Sequence, residues 1–144
     1  MANVTYTELG FPIVLLGPPM ITVRGHAVPD VNLKDLQSIV FHLLVVKPAR
    51  LTGAEVRFVR TYLRLRQADL AEVLNRTNHS VVSQWEARGD EPSGMEYNTE
   101  VLLRIWMAAK AGEPERALDL LEHRLKHLAL RSTGPLEVRL PAAA

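Results

Sequence analysis

The chain has 144 residues, 17 basic against 16 acidic side chains for a net charge of +1, and no cysteine. This length suits one ordinary domain or two very small ones, and about 70% of the unfolded surface can be buried at this size without a metal or disulfide staple. Lacking cysteine, the chain has no disulfide, thiolate zinc site or cysteine nucleophile, which fits a reducing cytoplasm, and its near-neutral charge does not announce a nucleic-acid partner.

Met1-Ala2-Asn3-Val4-Thr5 lacks the basic start and long apolar core of a signal peptide. The longest nearly apolar run, 39–46, is broken by His42 and is too short to span a bilayer. The expectation is a soluble, cytoplasmic protein with no membrane partner. Residues 1–31 read as extended: Val4-Thr5-Tyr6, Ile13-Val14-Leu15-Leu16 and Met20-Ile21-Thr22-Val23 are β-prone, separated by Leu9-Gly10, Gly17-Pro18-Pro19 and Arg24-Gly25. They predict a small antiparallel sheet of two or three strands, which must pack on something to be stable. The next segment is its natural partner. Asn32 is a good N-cap, Leu33, Leu36, Val40, Leu43 and Leu44 recur at helical spacing, and Pro48 ends the pattern. Phe41, Val45 and Val46 widen the apolar surface, so this helix is either enclosed in the core or shared with a second subunit.

Leu51-Thr52-Gly53-Ala54-Glu55-Val56 is a strong helix start, with Thr52 and Glu55 spaced for a capping box and Leu51 and Val56 for a staple. Val56, Val59 and Leu63 form its inner face. Arg57, Arg60, Arg64 and Arg66 stand against the single acid Glu55 over 54–66, either as a solvated face or, beside a DNA-binding unit, as phosphate contacts. Two short helices follow, one over Arg66-Gln67-Ala68-Asp69-Leu70-Ala71-Glu72-Val73-Leu74 and one including Val81-Val82-Ser83-Gln84-Trp85-Glu86. Gly89-Asp90-Glu91-Pro92-Ser93-Gly94 is a loop, and 99–111 resumes a helix with Leu102, Leu103, Ile105, Trp106 and Met107, ended by Gly112. Glu113-Pro114 opens a final amphipathic helix, 113–131, whose Leu118, Leu121, Leu125 and Leu128 follow the spacing of a coiled-coil seam. Leu136-Glu137-Val138-Arg139-Leu140 alternates like an edge strand, and Pro141-Ala142-Ala143-Ala144 reads as a disordered tail.

The spaced residues Gln67, Leu70, Ala71 and Leu74, followed by Val82-Ser83-Gln84-Trp85-Glu86, resemble a Cro/CI-type (XRE) helix-turn-helix domain over 51–112. The start of that stretch is similar to the DNA-binding half of MqsA- and HigA-type antitoxins. Together with the β-prone start, the resemblance implies a mainly α fold with a small N-terminal β element (α+β). A strand-and-helix segment at 1–48 would serve dimerisation or partner binding, 49–112 would bind DNA, and 132–144 would be a tail. It further implies a dimeric repressor that reads a palindromic operator in double-stranded DNA, with half-sites about 34 Å apart. Asn78, His79, Ser80, Ser83 and Gln84 would face base edges, and a bidentate Gln84–adenine contact contributes about 1–3 kcal/mol of discrimination. Gln67, Arg57, Arg64, Arg66, Arg76 and Arg88 would meet phosphates.

Other residues carry structural roles. Ala71 is small where two helices cross; Leu70, Leu74, Val82 and Trp85 fill the space between them, although Trp85 also suits a nucleotide-stacking platform. Val81 either touches a thymine methyl or is buried. The resemblance pairs Arg60 with Glu86, and a partly exposed ion pair of that kind contributes only about 0–1 kcal/mol. Thr77 or Asn78 would cap the recognition helix. Two positions depart from the family: Arg66 stands where it has Ser or Thr, and Asn75-Arg76-Thr77 is one residue longer than the usual turn and lacks its glycine. Asn75 can take the left-handed conformation instead, and the register of the recognition helix is left open by one residue.

Two alternatives compete with the repressor. An antitoxin would use the same DNA-binding part while residues 1–46 neutralise a toxin protein, but the cysteine-ligated zinc of MqsA-type relatives has no counterpart here. An enzyme has little to stand on: no glycine-rich phosphate loop, nucleophile elbow or close acid–base pair is present. His123 and His127 lie one helical turn apart, yet Arg124 and Lys126 make the locality cationic and no third ligand is evident. His26 and His42 stand alone. No catalytic residue, metal or cofactor is expected.

Overall fold

The structure is a computed structural model that describes residues 2–78, 80–120, 122 and 128–140. Strands β1 (Val4–Tyr6) and β2 (Ile13–Leu15) pair antiparallel, with Thr5 opposite Val14. The alternation of β2 sends Ile13 and Leu15 into the core while Val14 is half-buried. The third strand of this sheet comes from the far end of the chain. β5 (Leu136–Val138) runs parallel to β2 along its free edge and buries Val138. The edge strand expected at 136–140 therefore forms over its first three residues.

The single N-terminal sheet foreseen from the sequence is divided. β3 (Met20–Val23) and β4 (His26–Pro29) form a separate two-stranded ribbon. Arg24 and Gly25 both take positive φ, 52° and 81°, which suits the two-residue turn favoured by strand twist. β4 was missed because His26-Ala27-Val28-Pro29 is poor in strand formers; Pro29 fits only because it closes the end of the ribbon, opposite Met20. All four residues of β3 are exposed.

Helix α1 (Leu33–Val45) starts where expected: Asn32 Oδ1 accepts the N–H of Asp35 at 3.2 Å. It buries Leu36, Val40, Phe41, Leu44 and Val45 and packs against α2 (Gly53–Tyr62) and α5 (Tyr97–Lys110). Five of its apolar side chains are thus packed inside the chain, while Leu33 is 49% exposed. One continuous core joins Ile13, Leu36, Val59, Leu103 and Val138 across the boundaries read at 48 and 112.

The connection between α1 and α2 lacks a regular ladder for its carbonyls, and buried backbone acceptors need partners. Arg104, wholly buried on α5, supplies them. Its guanidinium donates to the carbonyls of Lys47 (2.6 Å), Val45 (3.5 Å) and Ala49, and to Glu100 Oε2 (2.7 Å). Burial lowers the Arg104 pKa, opposed by the adjacent Glu100 carboxylate. Glu100 also accepts from Arg50 Nε (3.0 Å) and from the N–H of Leu51 (3.2 Å).

The final helix is shorter than the seam predicts. α6 spans Pro114–Asp119, and residue 129 lies in extended chain, where Ala129 bridges Ala49 and donates to the carbonyl of Pro48 at 3.1 Å. Leu120 enters the core while Leu118 is 60% exposed, so the buried position is not the one the heptad marked. Leu121, Leu125 and the tail from Pro141 lie outside the described residues. Among the described residues the six helices and five short strands make a mixed α+β architecture, and no helix is long and apolar enough to cross a membrane.

Candidate nucleic-acid interface

Helices α3 (Gln67–Val73) and α4 (Ser80–Glu86) are seven residues each. Arg66 has no side-chain acceptor with which to cap α3. Asp69 turns back instead, accepting the N–H of Arg66 at 2.9 Å and binding its guanidinium, Nη2 to Oδ1, at 3.0 Å. These bonds hold the Asp69 carboxyl below its ordinary value and raise the Arg66 pKa. α3 stops at Asn75, whose φ of 57° is left-handed; the N–H of Arg76 then returns to the carbonyl of Ala71 at 2.7 Å. Asparagine thus does the work of a glycine there. Of the two candidate caps for α4, Asn78 serves: its Oδ1 accepts the N–H of Ser80 at 3.0 Å and the Ser80 hydroxyl at 2.7 Å.

The inner face of α4 is Val82 and Trp85, which share a core with Leu70, Ala71 and Leu74. Trp85 is 5% exposed, so it is a core residue and not a stacking platform. Val81 is half-buried. Ser80, Ser83 and Gln84 are exposed on the outside, joined by Ala87 just beyond the helix. His79 lies outside the described residues. Capping occupies the Asn78 oxygen and the Ser80 hydroxyl proton, which leaves Ser83 and Gln84 with the fullest hydrogen-bonding capacity among the described residues of this face.

No protein-family model matches the chain, and neither a curated protein nor a solved structure is found to be similar to it.

The end of α4 is fixed to α2 by charge and by close approach. Arg60 grips Glu86 through two bonds, Nε–Oε2 at 2.6 Å and Nη2–Oε1 at 3.0 Å, and donates from Nη1 to the carbonyl of Leu65 at 2.9 Å. Gln67 Nε2 adds a third donor to Glu86 at 3.2 Å. With side chains 16% and 7% exposed, the pair is more buried than the sequence suggested, and breaking it costs nearer the 3–5 kcal/mol, roughly, of a buried pair. It also ties up the Gln67 amide that was expected to reach a phosphate. Alongside, the N–H groups of Gly53 and Ala54 donate to the carbonyls of Glu91 (3.1 Å) and Gly89 (2.8 Å). A Cβ on Gly53 would lie 3.0 Å from the Glu86 carbonyl oxygen and closer still to that of Trp85. Sequence reading treated Gly53 only as part of a helix start; the available signal was a glycine at the first turn of an otherwise well-capped helix.

The arginines sort by their partners. Arg57, Arg64 and Arg88 are exposed and, among the described residues, form no ion pair. Arg66 is paired with Asp69, and Arg76 is drawn toward α5 by Glu96 (2.9 Å) and the Thr99 hydroxyl (2.6 Å). Arg57 and Arg64, with Lys34, line a groove of about 1000 Å³ that reaches Glu86. Arg76 and Arg88 line a smaller concavity of about 200 Å³ with Val81 and Gln84. The two grooves meet α4 on different sides, since successive helical residues turn by about 100°. Among the described residues no group of His, Asp and Glu could hold a metal ion; His123 and His127 lie outside them.

Proposed function

We propose that the chain is a sequence-specific DNA-binding regulator of the Cro/CI-type helix-turn-helix class, acting as a dimeric repressor. α3 lies across the backbone and α4 enters the major groove. The observation that carries this is the division of α4: Val82 and Trp85 fix it from inside while Ser83 and Gln84 stand free outside. Seven helical residues span about 10 Å, about three base-pair steps at roughly 3.4 Å each. Gln84 reads adenine, Ser83 supplies an adaptable donor or acceptor, and Asn78 offers its amide N–H groups while its oxygen caps the helix. Arg57, Arg64 and Arg88 meet phosphates without first giving up a partner. Arg66 and Arg76 must exchange a carboxylate for one. A single unit makes few contacts, so two copies bind half-sites about one helical turn, roughly 34 Å, apart.

Gln84→Ala and Arg64→Ala separate the roles. The first should cost about 1–3 kcal/mol on the preferred site and little on random duplex; the second should weaken all duplexes and lower the salt slope by about 1. Equal losses on preferred and random DNA for Gln84→Ala would remove its base-reading role.

An antitoxin is the second reading, favoured by the exposed β3–β4 ribbon, where Met20, Ile21 and Val23 are each about 45% exposed. Such a ribbon offers edges and apolar side chains to another protein chain. Co-expression with the product of an adjacent small open reading frame should then yield a complex that Ile21→Asp disrupts; no complex with any neighbouring product would end this reading.

A further inference from the structure

A concavity of about 320 Å³ opens where the α1–α2 connection, the start of α2, loop 90–92 and segment 130–136 converge. On its lining lie Lys47 and Glu55, with side chains 5% and 6% exposed and Nζ 2.6 Å from Oε1. The same Oε1 accepts the N–H of Thr52 at 2.9 Å. An ammonium carries three donors, and a carboxylate offers about four acceptor sites over its two oxygens. Among the described residues, Lys47 Nζ has no acceptor besides Glu55 Oε1, and Glu55 Oε2 receives no donor. Among the described residues no buried side-chain nitrogen or oxygen lacks a partner, so Glu55 Oε2 opens onto the concavity, and convergent polar groups beside apolar walls are how small-molecule sites are built.

The surroundings narrow the ligand. Lys47, Arg50 and Arg131 are balanced by Glu55, Asp90 and Glu91, so the lining has no excess charge to meet an ion. Arg50 is committed to Glu100 and the Met95 carbonyl, and Arg131 to Glu91 at 3.1 Å. Phe11, Pro12 and Leu136 supply apolar surface. We propose that this pocket binds a small neutral molecule bearing an amide edge, a primary carboxamide or lactam on a compact apolar body. Its carbonyl accepts from Lys47 Nζ, its N–H donates to Glu55 Oε2, and the body lies against Phe11, Pro12 and Leu136. A carboxylate would offer acceptors but no donor, and would add a third charge to a buried pair.

The site is independent of the DNA-binding reading and is tested without DNA. The full chain, labelled with ¹⁵N, is titrated with benzamide and separately with benzoate, which matches its shape but cannot donate. Benzamide should produce amide shifts confined to 11–13, 47–55, 90–92 and 130–136, saturating at about 1–10 mM as expected for a fragment, with benzoate at least tenfold weaker. Lys47→Met combined with Glu55→Gln keeps a capping-box residue at 55 and removes both charges; it should lose the saturable shifts while the spectrum stays dispersed. Benzamide shifts that do not saturate, that fall elsewhere or that benzoate reproduces at equal concentration would overturn the assignment. So would undiminished binding by the folded double variant, and if that variant does not fold, the benzamide-to-benzoate ratio on the unaltered chain decides.

Discussion

Replacing Gly53 with alanine tests how α4 is held. At the first turn of a capped helix, with no left-handed φ to relieve, this exchange ordinarily stabilises by up to about 1 kcal/mol. Here the new Cβ would sit 2.9 Å from the Gly89 nitrogen and 3.0 Å from the Glu86 carbonyl oxygen, where ordinary contact begins at 3.4 Å. The Trp85 carbonyl oxygen is closer still and all three neighbours are backbone, so α2 and the end of α4 must separate by about an ångström, at an overpacking cost of about 1–3 kcal/mol. The bonds from Gly53 and Ala54 to Glu91 and Gly89 lengthen with it. Over 144 residues that corresponds to a Tm lower by about 2–12 °C. Differential scanning calorimetry reads it directly, with Gly134→Ala as control, since a Cβ there meets nothing within 4 Å. A Gly53→Ala protein as stable as the native chain, or more so, would refute the close approach.

Further substitutions probe the rest of the core and the caps. Arg104→Met should cost about 3–5 kcal/mol in chemical denaturation, because it takes the guanidinium donors from the buried Glu100 Oε2 and from three carbonyls. Trp85→Ala should cost about 3–5 kcal/mol as a core truncation, whereas a stacking platform would be lost with little change in stability. At the left-handed position, Asn75→Ala should destabilise by about 1–2 kcal/mol and Asn75→Gly should not. The Asp69 carboxyl is held low by Arg66, so its support of α3 is present above the ordinary aspartate range, about 3.9, and fades as the pH falls through its lower folded value. The stability lead of the native chain over Asp69→Asn should therefore be present at neutral pH and vanish in acid.

The legible parts of this fold were those that local chemistry decides. Thr52 and Glu55 form their reciprocal cap, Asn32 caps α1, Asn75 takes the left-handed turn and Arg60 finds Glu86. Each needs only a few residues at fixed spacing, or two faces of adjoining helices. Features decided by distant chain were not legible. Nothing near 13–15 says that 136–138 will lie beside it in parallel, and nothing on α5 says that Arg104 will satisfy carbonyls near residue 47. The heptad marked Leu118, but helical geometry ends before residue 129 and Leu120 takes the core position. At the candidate interface, the inward and outward faces of α4 were readable from periodicity. Which arginines are already paired was not, because Glu96 and Thr99 reach Arg76 from another helix.

Selection of bound duplexes from a random pool at low salt, with the purified full chain, bears most directly on α4 as a base-reading helix. The expected product is an inverted repeat whose half-sites are centred about 10 base pairs apart, bound far more tightly than scrambled duplex and lost from the pool when Gln84→Ala and Ser83→Ala are combined. A pool that stays random through successive rounds, with no duplex retained even at 50 mM salt, would contradict it.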